Sequence, residues 1–175
     1  MDTRYLDDLK PGDRIAVQMP NVLQYPIAVF GAMRAGLIVV NTNPLYTARE
    51  MEHQFNDSGA KALVCLANMA HLAEEVLPKT GIKHVIVTEV GDLLPPLKRL
   101  LVNTVVKHVK KMVPPYSLPQ AVKLTAALAK AGVERQAFRD FKTVLTRYPN
   151  SHYAADSRAR MISLKDRSEE RRVGK

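Results

Sequence analysis

The feature that most constrains the fold is one stretch, DRIAVQMPNVLQYPIAVFGAMRAGLIVVNTNP, at residues 13–44. Its first part, residues 14–19, is short and β-leaning, and a Pro-Asn pair ends it. A helical segment follows, and Gly36 stands where a left-handed residue ends a helix at least cost. Residues 37–40 form a continuous apolar run, typical of a strand buried on both faces of a parallel sheet. The stretch therefore predicts a βαβ unit with a right-handed crossover.

The helical segment has its large apolar residues mostly three or four positions apart, which is helical spacing. They are Val22, Leu23, Ile27, Phe30 and Met33. Pro26 suits a first helical turn. The regular helix can therefore begin either near Val22 or only at Pro26.

Strands and helices continue to alternate after this unit. Thr47 and Glu50 have the spacing of a capping box for a helix over residues 48–55, and Asn68 can cap a helix over residues 69–77. The predicted strands are residues 14–19, 37–40, 61–66 and 83–88. Such alternation predicts the α/β class, with one parallel sheet covered by helices.

Met33 to Pro44, MRAGLIVVNTNP, resembles the second core motif of the adenylate-forming enzymes. The flanking segments GDRIAVQMPN and LYTAREMEHQFNDSGAKALV resemble bacterial long-chain fatty acid–CoA ligases in particular, and the similarity runs from about Leu9 to about Lys130. The resemblance implies a partial N-terminal subdomain of such a ligase. For the full-length family it implies fatty acid, ATP, Mg and CoA as substrates and cofactors.

No catalytic, cofactor-binding or metal-binding residue can be assigned on this chain from the resemblance. Adenylation needs a Gly-rich loop with a Lys to hold the ATP phosphates. The eight glycines are too far apart for one, since the closest pair, Gly31 and Gly36, are five positions apart. We therefore expect the segment to bind no cofactor, and we expect Met33 to Pro44 to serve only as scaffold.

The net charge of +9 is distributed unevenly. Residues 1–93 have 8 basic and 11 acidic side chains, whereas residues 94–132 have 7 basic and no acidic ones. No basic face interleaved with aromatic residues is present, which argues against a nucleic-acid partner. The lone cysteine, Cys65, lies in an apolar run and is expected to be a buried strand thiol.

The segment over residues 97–112, called the basic helix below, is amphipathic. Its apolar stripe is Leu97, Leu100, Leu101, Val105, Val109 and Met112, and its basic residues are Lys98, Arg99, Lys107, Lys110 and Lys111. Two interpretations stay open: a core-packed helix with a solvated basic side, or a membrane-surface segment. Residues 120–130 are expected to add one more helix.

From residue 133 the sequence pattern changes. Ala137, Phe141, Leu145 and Pro149 follow one another at four-residue steps, the pattern of the second helix of a tetratricopeptide repeat. The run YPNSHYAADSRARM resembles the lipoprotein subunit of the outer-membrane β-barrel assembly machine. The last nine residues, RSEERRVGK, match the translation of a common sequencing-library adapter. The chain therefore looks like a composite that ends in a helical hairpin and an unpacked tail.

Four segments are predicted: residues 1–93, a partial ligase subdomain; 94–132, the basic helix and a Pro-rich connection; 133–166, the tetratricopeptide-like hairpin; and 167–175, the tail. The N-terminus lacks the apolar core of a signal peptide, and no apolar run reaches the roughly 20 residues of a membrane span. A cytoplasmic location is expected, with peripheral contact at the inner membrane left open.

Three functions follow as hypotheses. The first is a fragment of a long-chain fatty acid–CoA ligase that lacks the active site and is inactive alone. The second is a tetratricopeptide-type interaction piece of outer-membrane protein assembly, and the third is a basic membrane-surface binding segment.

Overall fold

The computed structural model describes residues 9–130 of the chain. Five parallel strands form one sheet in the order β2-β1-β3-β4-β5. The strands are β1 Arg14–Gln18, β2 Ile38–Thr42, β3 Ala60–Leu66, β4 His84–Thr88 and β5 Val122–Lys123. The helices are α1 Gln24–Arg34, α2 Ala48–Ser58, α3 Ala70–Val76, α4 Pro96–Thr104 and α5 Leu124–Lys130. The predicted α/β class with a parallel sheet is confirmed.

The strand β2 was expected to be buried on both faces, and that expectation is wrong. Within residues 9–130 β2 pairs with β1 alone, so it lies at an edge of the sheet. Ile38 is 52% exposed, while Leu37, just before the strand, is buried. A run of apolar residues shows that a segment can be buried, but it does not show how many neighbours the fold supplies.

The main hydrophobic core lies between the sheet and the helices α2 and α3. Met51 and Phe55 of α2 are fully buried there against Ala16, Leu63 and Cys65. Burial of a Met or Phe side chain contributes about 1.5–3 kcal/mol. The capping box that starts α2 is confirmed, because the Thr47 backbone N–H donates to Glu50 Oε2 at 2.8 Å. These hydrogen bonds lower the pKa of the Glu50 carboxyl.

The helix α1 packs with its small residues toward the protein. Ala28 and Ala32 are buried, whereas Phe30 and Met33 are 65% and 59% exposed. The helix begins at Gln24, between the two starts that the sequence left open. Gly36 follows it with a φ of 76°, and a Cβ there would lie 3.0 Å from the Pro11 Cβ. A glycine is therefore required both by the left-handed backbone and by the close approach.

Two local predictions need correction. Asn68 does not cap a helix, because a 3₁₀ turn over Ala67–Met69 precedes α3 and the Asn68 amide donates instead to the Met112 carbonyl. The helix predicted over residues 120–130 begins only at Leu124, since Val122–Lys123 pairs with β4 as a short fifth strand. In both cases the group forms its hydrogen bond with a partner distant in sequence, which rules based on neighbouring residues do not predict.

The chain divides into two compact units, Met1–Ala127 and Leu128–Lys175. The predicted hairpin over 133–166 and the tail over 167–175 lie outside the described residues, so the four predicted segments stay predictions. Across residues 9–130 no helix is long and apolar enough to cross a membrane.

Candidate functional site

The carboxyl edge of the sheet is the first candidate site. In open parallel sheets, ligands bind outside the carboxyl ends of the strands, where the strand order reverses. Here the order reverses between β1 and β3, because the chain passes from β1 to β2 on one side and then to β3 on the other. Gln18, the last residue of β1, is fully buried at this point.

Two buried glutamines tie this edge together. The Gln18 amide donates to Met51 Sδ at 3.3 Å. The Gln24 amide, at the start of α1, donates to the carbonyl oxygens of Glu89 and Val90 at 2.8 and 3.2 Å. The Gln24 bonds fix the loop after β4 against the first turn of α1, whereas the Gln18 bond joins the end of β1 to α2. Both glutamines are fully buried, and each side-chain amide joins two segments of this edge through its N–H donors.

Asp92 organises the loop that follows β4. Its carboxylate accepts hydrogen bonds from the Thr88 hydroxyl at 3.0 Å and from the Glu89 backbone N–H at 2.8 Å. Asn103 of α4 donates to the other Asp92 oxygen at 3.3 Å and accepts from the Gly91 backbone N–H at 2.8 Å. The polar side of α4 is thereby attached to the end of β4.

A cavity of about 190 Å³ lies beside this loop, at the ends of β4 and β5. Glu89, Asp92, Tyr116 and Lys123 supply its ionisable groups, and the rest of its lining is largely apolar. Burial, and then the neighbouring Glu89 carboxylate, raises the pKa of the Tyr116 phenol. The volume is below the roughly 300 Å³ at which pockets for drug-sized ligands begin. The cavity can hold only a small group.

The residues present do not fit the cofactors that the resemblance implies. None of the glycines in the described part of the chain belongs to a Gly-rich loop that could hold ATP phosphates. Between residues 9 and 130, no three His, Cys, Asp or Glu side chains meet as metal ligands would. We therefore derive no adenylation step from this structure.

Cys65 is a free, fully buried thiol, as predicted. Burial raises its pKa to about 12. The reactive species of cysteine is the thiolate, so this thiol is inert as a nucleophile in the folded protein.

The outer surface of the basic helix is the second candidate site. All nine residues of α4 are partly or fully exposed, and a π-helical turn over Val105–Val109 continues it. Among residues 9–130, the apolar stripe is therefore not packed in a core. Leu100 and Leu101 are 67% and 64% exposed.

The basic residues of this helix are exposed as well. Lys98, Arg99, Lys107, Lys110 and Lys111 all belong to the exposed class. Lys111 takes a φ of 50°, which ends the helix and returns the chain to the body of the protein. The Met112 carbonyl then accepts the hydrogen bond from Asn68 at 2.9 Å.

Sequence reasoning missed the polar residues that shape the carboxyl edge, namely Gln18, Gln24, Asp92 and Asn103. Only the position of Asp92, shortly after a predicted strand, gives a signal in the sequence, since loops at strand ends carry ligand-binding residues. The partners of the other three lie 11 to 66 positions away, and no local pattern indicates such contacts.

Comparison with known proteins gives two family matches. The model of the AMP-binding enzyme family matches residues 4–137, and that of a tetratricopeptide repeat matches residues 127–161. The chain is 58% identical over 120 residues to the long-chain-fatty-acid–CoA ligase of Escherichia coli O157:H7. It is 58% identical over 121 residues to that of Haemophilus influenzae, and 38% identical over 93 residues to that of Bacillus subtilis.

These matches cover much of this chain but little of the relatives. The alignment with the Escherichia coli ligase spans 69% of this chain and 21% of that protein; for Haemophilus influenzae the shares are 69% and 22%, and for Bacillus subtilis 53% and 17%. This chain therefore spans about a fifth of the length of the curated relatives that it matches.

One solved structure supports the fold. The acetoacetyl-CoA synthetase of Streptomyces lividans superposes with a TM-score of 0.51 at 14% identity, over 70% of this chain and 17% of that one. At this identity the likeness concerns the fold alone, and it agrees with the parallel sheet described above. The family model matches residues 4–137, more than half of the chain, so the chain belongs to the AMP-binding enzyme family.

Proposed function

We propose that this chain is an N-terminal piece of a long-chain fatty acid–CoA ligase. The observation that carries the proposal is the continuous 58% identity over 120 residues to ligases of about five times that length. In the complete enzyme, the activity would be fatty acid activation through an acyl-adenylate, followed by thioester formation with CoA. ATP and Mg would serve the first step.

The uncovered surface of α1 supports this proposal. Leu23, Ile27, Phe30 and Met33 form an exposed apolar surface, called the α1 face below, and the exposed Ile38 of the neighbouring edge strand is a further apolar residue on the surface. No charged residue occurs between Pro20 and Arg34. Contiguous apolar surface of this kind marks a site that another protein segment covers. The remainder of a ligase is the segment that the sequence relationship suggests.

We further propose that the chain alone forms no acyl-adenylate, because it has no Gly-rich loop for the phosphates. Purified chain should give no fatty-acid-dependent exchange of pyrophosphate into ATP. A polypeptide comprising the rest of the Escherichia coli ligase, added to it, should restore measurable activity. Adenylation by the chain alone would contradict the proposed inactivity, and failure of the two pieces to associate would contradict the ligase-fragment proposal.

A second proposal concerns the membrane. The five exposed basic residues of the basic helix, in a segment without acidic residues, suit peripheral contact with an anionic leaflet such as that of the inner membrane. The full chain should sediment with vesicles that contain phosphatidylglycerol, and added salt should weaken the association. Equal binding to neutral and anionic vesicles would count against it.

A third proposal concerns residues 133–166. The tetratricopeptide model matches residues 127–161, which supports the predicted repeat-like hairpin and, with it, a composite chain. About three repeats are needed to bury a solenoid core, so we propose no independent binding function for this part. Sequencing the DNA again across codon 132 tests the composite, since a junction found there in independent DNA would refute an assembly origin.

A further inference from the structure

The basic helix presents its apolar stripe away from the protein. Leu97, Leu100 and Leu101 stand at positions i, i+3 and i+4, so they share one side of the helix. All three are among the most exposed large apolar residues of the described chain, together with Val109 and Met112 near the helix end. A soluble helix normally turns such a stripe inward. Here the fold turns it outward.

The opposite side of the helix is fixed by polar contacts. Asn103 exchanges hydrogen bonds with Gly91 and Asp92, and Val102 and Val106 beside it are half-buried. A methyl group in place of a Gly91 hydrogen would lie 2.6 Å from Asn103 Oδ1, which shows how closely helix and loop approach. The outward direction of the leucines is therefore set by the fold.

The charge of the basic helix indicates the class of partner. The segment 94–132 has no acidic residue, and the basic helix has no aromatic one. A single-stranded nucleic acid is bound through aromatic stacking, which this surface cannot provide. A protein partner would have to neutralise the five basic residues of this helix and also cover its aliphatic stripe. An anionic lipid surface meets both requirements, since it offers negative headgroups above an apolar interior.

We infer that the basic helix lies in the plane of an anionic phospholipid leaflet, with Leu97, Leu100 and Leu101 inserted below the headgroups. This inference rests on the proposed membrane contact and adds to it an insertion surface with a defined direction. Amphipathic helices of this kind place their apolar face about 5–10 Å into the headgroup and acyl boundary. The exposed lysines and the arginine of the basic helix supply the electrostatic attraction to the anionic headgroups.

A matched pair of variants of the full chain tests the inserted side chains. Leu100→Gln with Leu101→Gln changes the inferred insertion surface, and Phe30→Gln with Met33→Gln changes equally exposed residues of the α1 face. Both pairs leave the charge unchanged. Binding to phosphatidylcholine vesicles containing phosphatidylglycerol should fall about tenfold or more for the first pair, given the affinity that one buried apolar side chain contributes. It should stay within about twofold for the second.

The outcomes separate the two levels of the proposal. Wild-type chain that fails to bind anionic vesicles at low salt refutes the membrane contact itself. Wild-type binding that is salt-sensitive and unchanged by the two leucine substitutions refutes insertion while the electrostatic contact stands. Equal loss in both variant pairs shows a general apolar association and also overturns the inference.

A labelled cysteine gives the direction of the helix independently. Cys65 is fully buried with a pKa of about 12, so a thiol-reactive fluorophore should attach only to an introduced cysteine. With Leu101→Cys, the environment-sensitive label NBD should shift to the blue on anionic vesicles and be quenched by brominated acyl chains. With Phe30→Cys, both signals should be absent. A quenched label at Phe30→Cys together with an unquenched one at Leu101→Cys would contradict the inferred orientation.

Discussion

The helices α1 and α4 both expose large apolar side chains, yet their surroundings differ. The α1 face is uncharged, contains the aromatic Phe30, and belongs to a helix whose other side is buried against the sheet through Ala28 and Ala32. The exposed stripe of α4 is aliphatic and belongs to a segment with five basic residues and no acidic one, and the helix is attached through Asn103. Exposed apolar area alone therefore does not define a partner. In the two proposals, the absence of charge on the α1 face suits a protein segment, and the basic residues of the basic helix suit an anionic lipid surface.

The largest expected effect concerns charge. Replacing Lys98, Arg99, Lys107, Lys110 and Lys111 with Gln should lower affinity for anionic vesicles on the order of a thousandfold, since each basic side chain near the surface contributes about 1 kcal/mol. Sedimentation with vesicles at several salt concentrations measures it. Arg34→Gln with Arg49→Gln, two exposed arginines elsewhere, serves as the control and should have little effect. A comparable loss of vesicle affinity in both variants would show that the charges of the basic helix are not special.

The second prediction concerns the buried side of α1. Ala32→Leu should destabilise the protein by about 1–3 kcal/mol, because a larger side chain overpacks the contact with the sheet. Urea unfolding followed by circular dichroism measures it. Phe30→Leu on the exposed side of the same helix is the matched control, expected within about 0.5 kcal/mol of wild type. An unchanged free energy of unfolding in Ala32→Leu would mean that α1 is not closely packed.

The third prediction concerns the attachment of α4. Asn103→Ala should cost about 1–2 kcal/mol, because it removes the acceptor for the Gly91 N–H and a donor to Asp92. Hydrogen exchange measures the change: relative to wild type, the Asn103→Ala variant should exchange its amide protons faster in α4, with a smaller change in α2. Thr104→Ala, one position further on an exposed side, is the control. Unchanged protection of α4 in Asn103→Ala would show that other contacts hold the helix.

The smallest expected effect concerns the stripe itself. Leu100→Gln with Leu101→Gln should change the free energy of unfolding by less than about 0.5 kcal/mol per substitution, because neither side chain is buried. The same urea titration measures it. A loss of several kcal/mol would show that the leucines pack inside the protein and that the contrast with α1 is mistaken.

The sequence by itself determined the α/β class, the first four strands and the capping box at Thr47. These features follow from local rules: the spacing of apolar residues, the residues that end elements, and side-chain bonds across one turn. The sequence also predicted correctly that Cys65 is a buried strand residue, because a short apolar run is typical of a strand in the core. The family followed from sequence similarity. No phosphate-binding site was assigned, because the glycines are too far apart for a Gly-rich loop.

Only the tertiary structure decided which faces are covered. The apolar periods of α1 and of the basic helix look alike in the sequence and resemble those of core helices, yet both point outward. Burial depends on which neighbours the fold supplies, and a period records only which residues share a side. The same reason explains why β2 lies at an edge, why residues Val122–Lys123 pair as a strand, and why Asn68 bonds to Met112. In each case the deciding partner is remote in sequence.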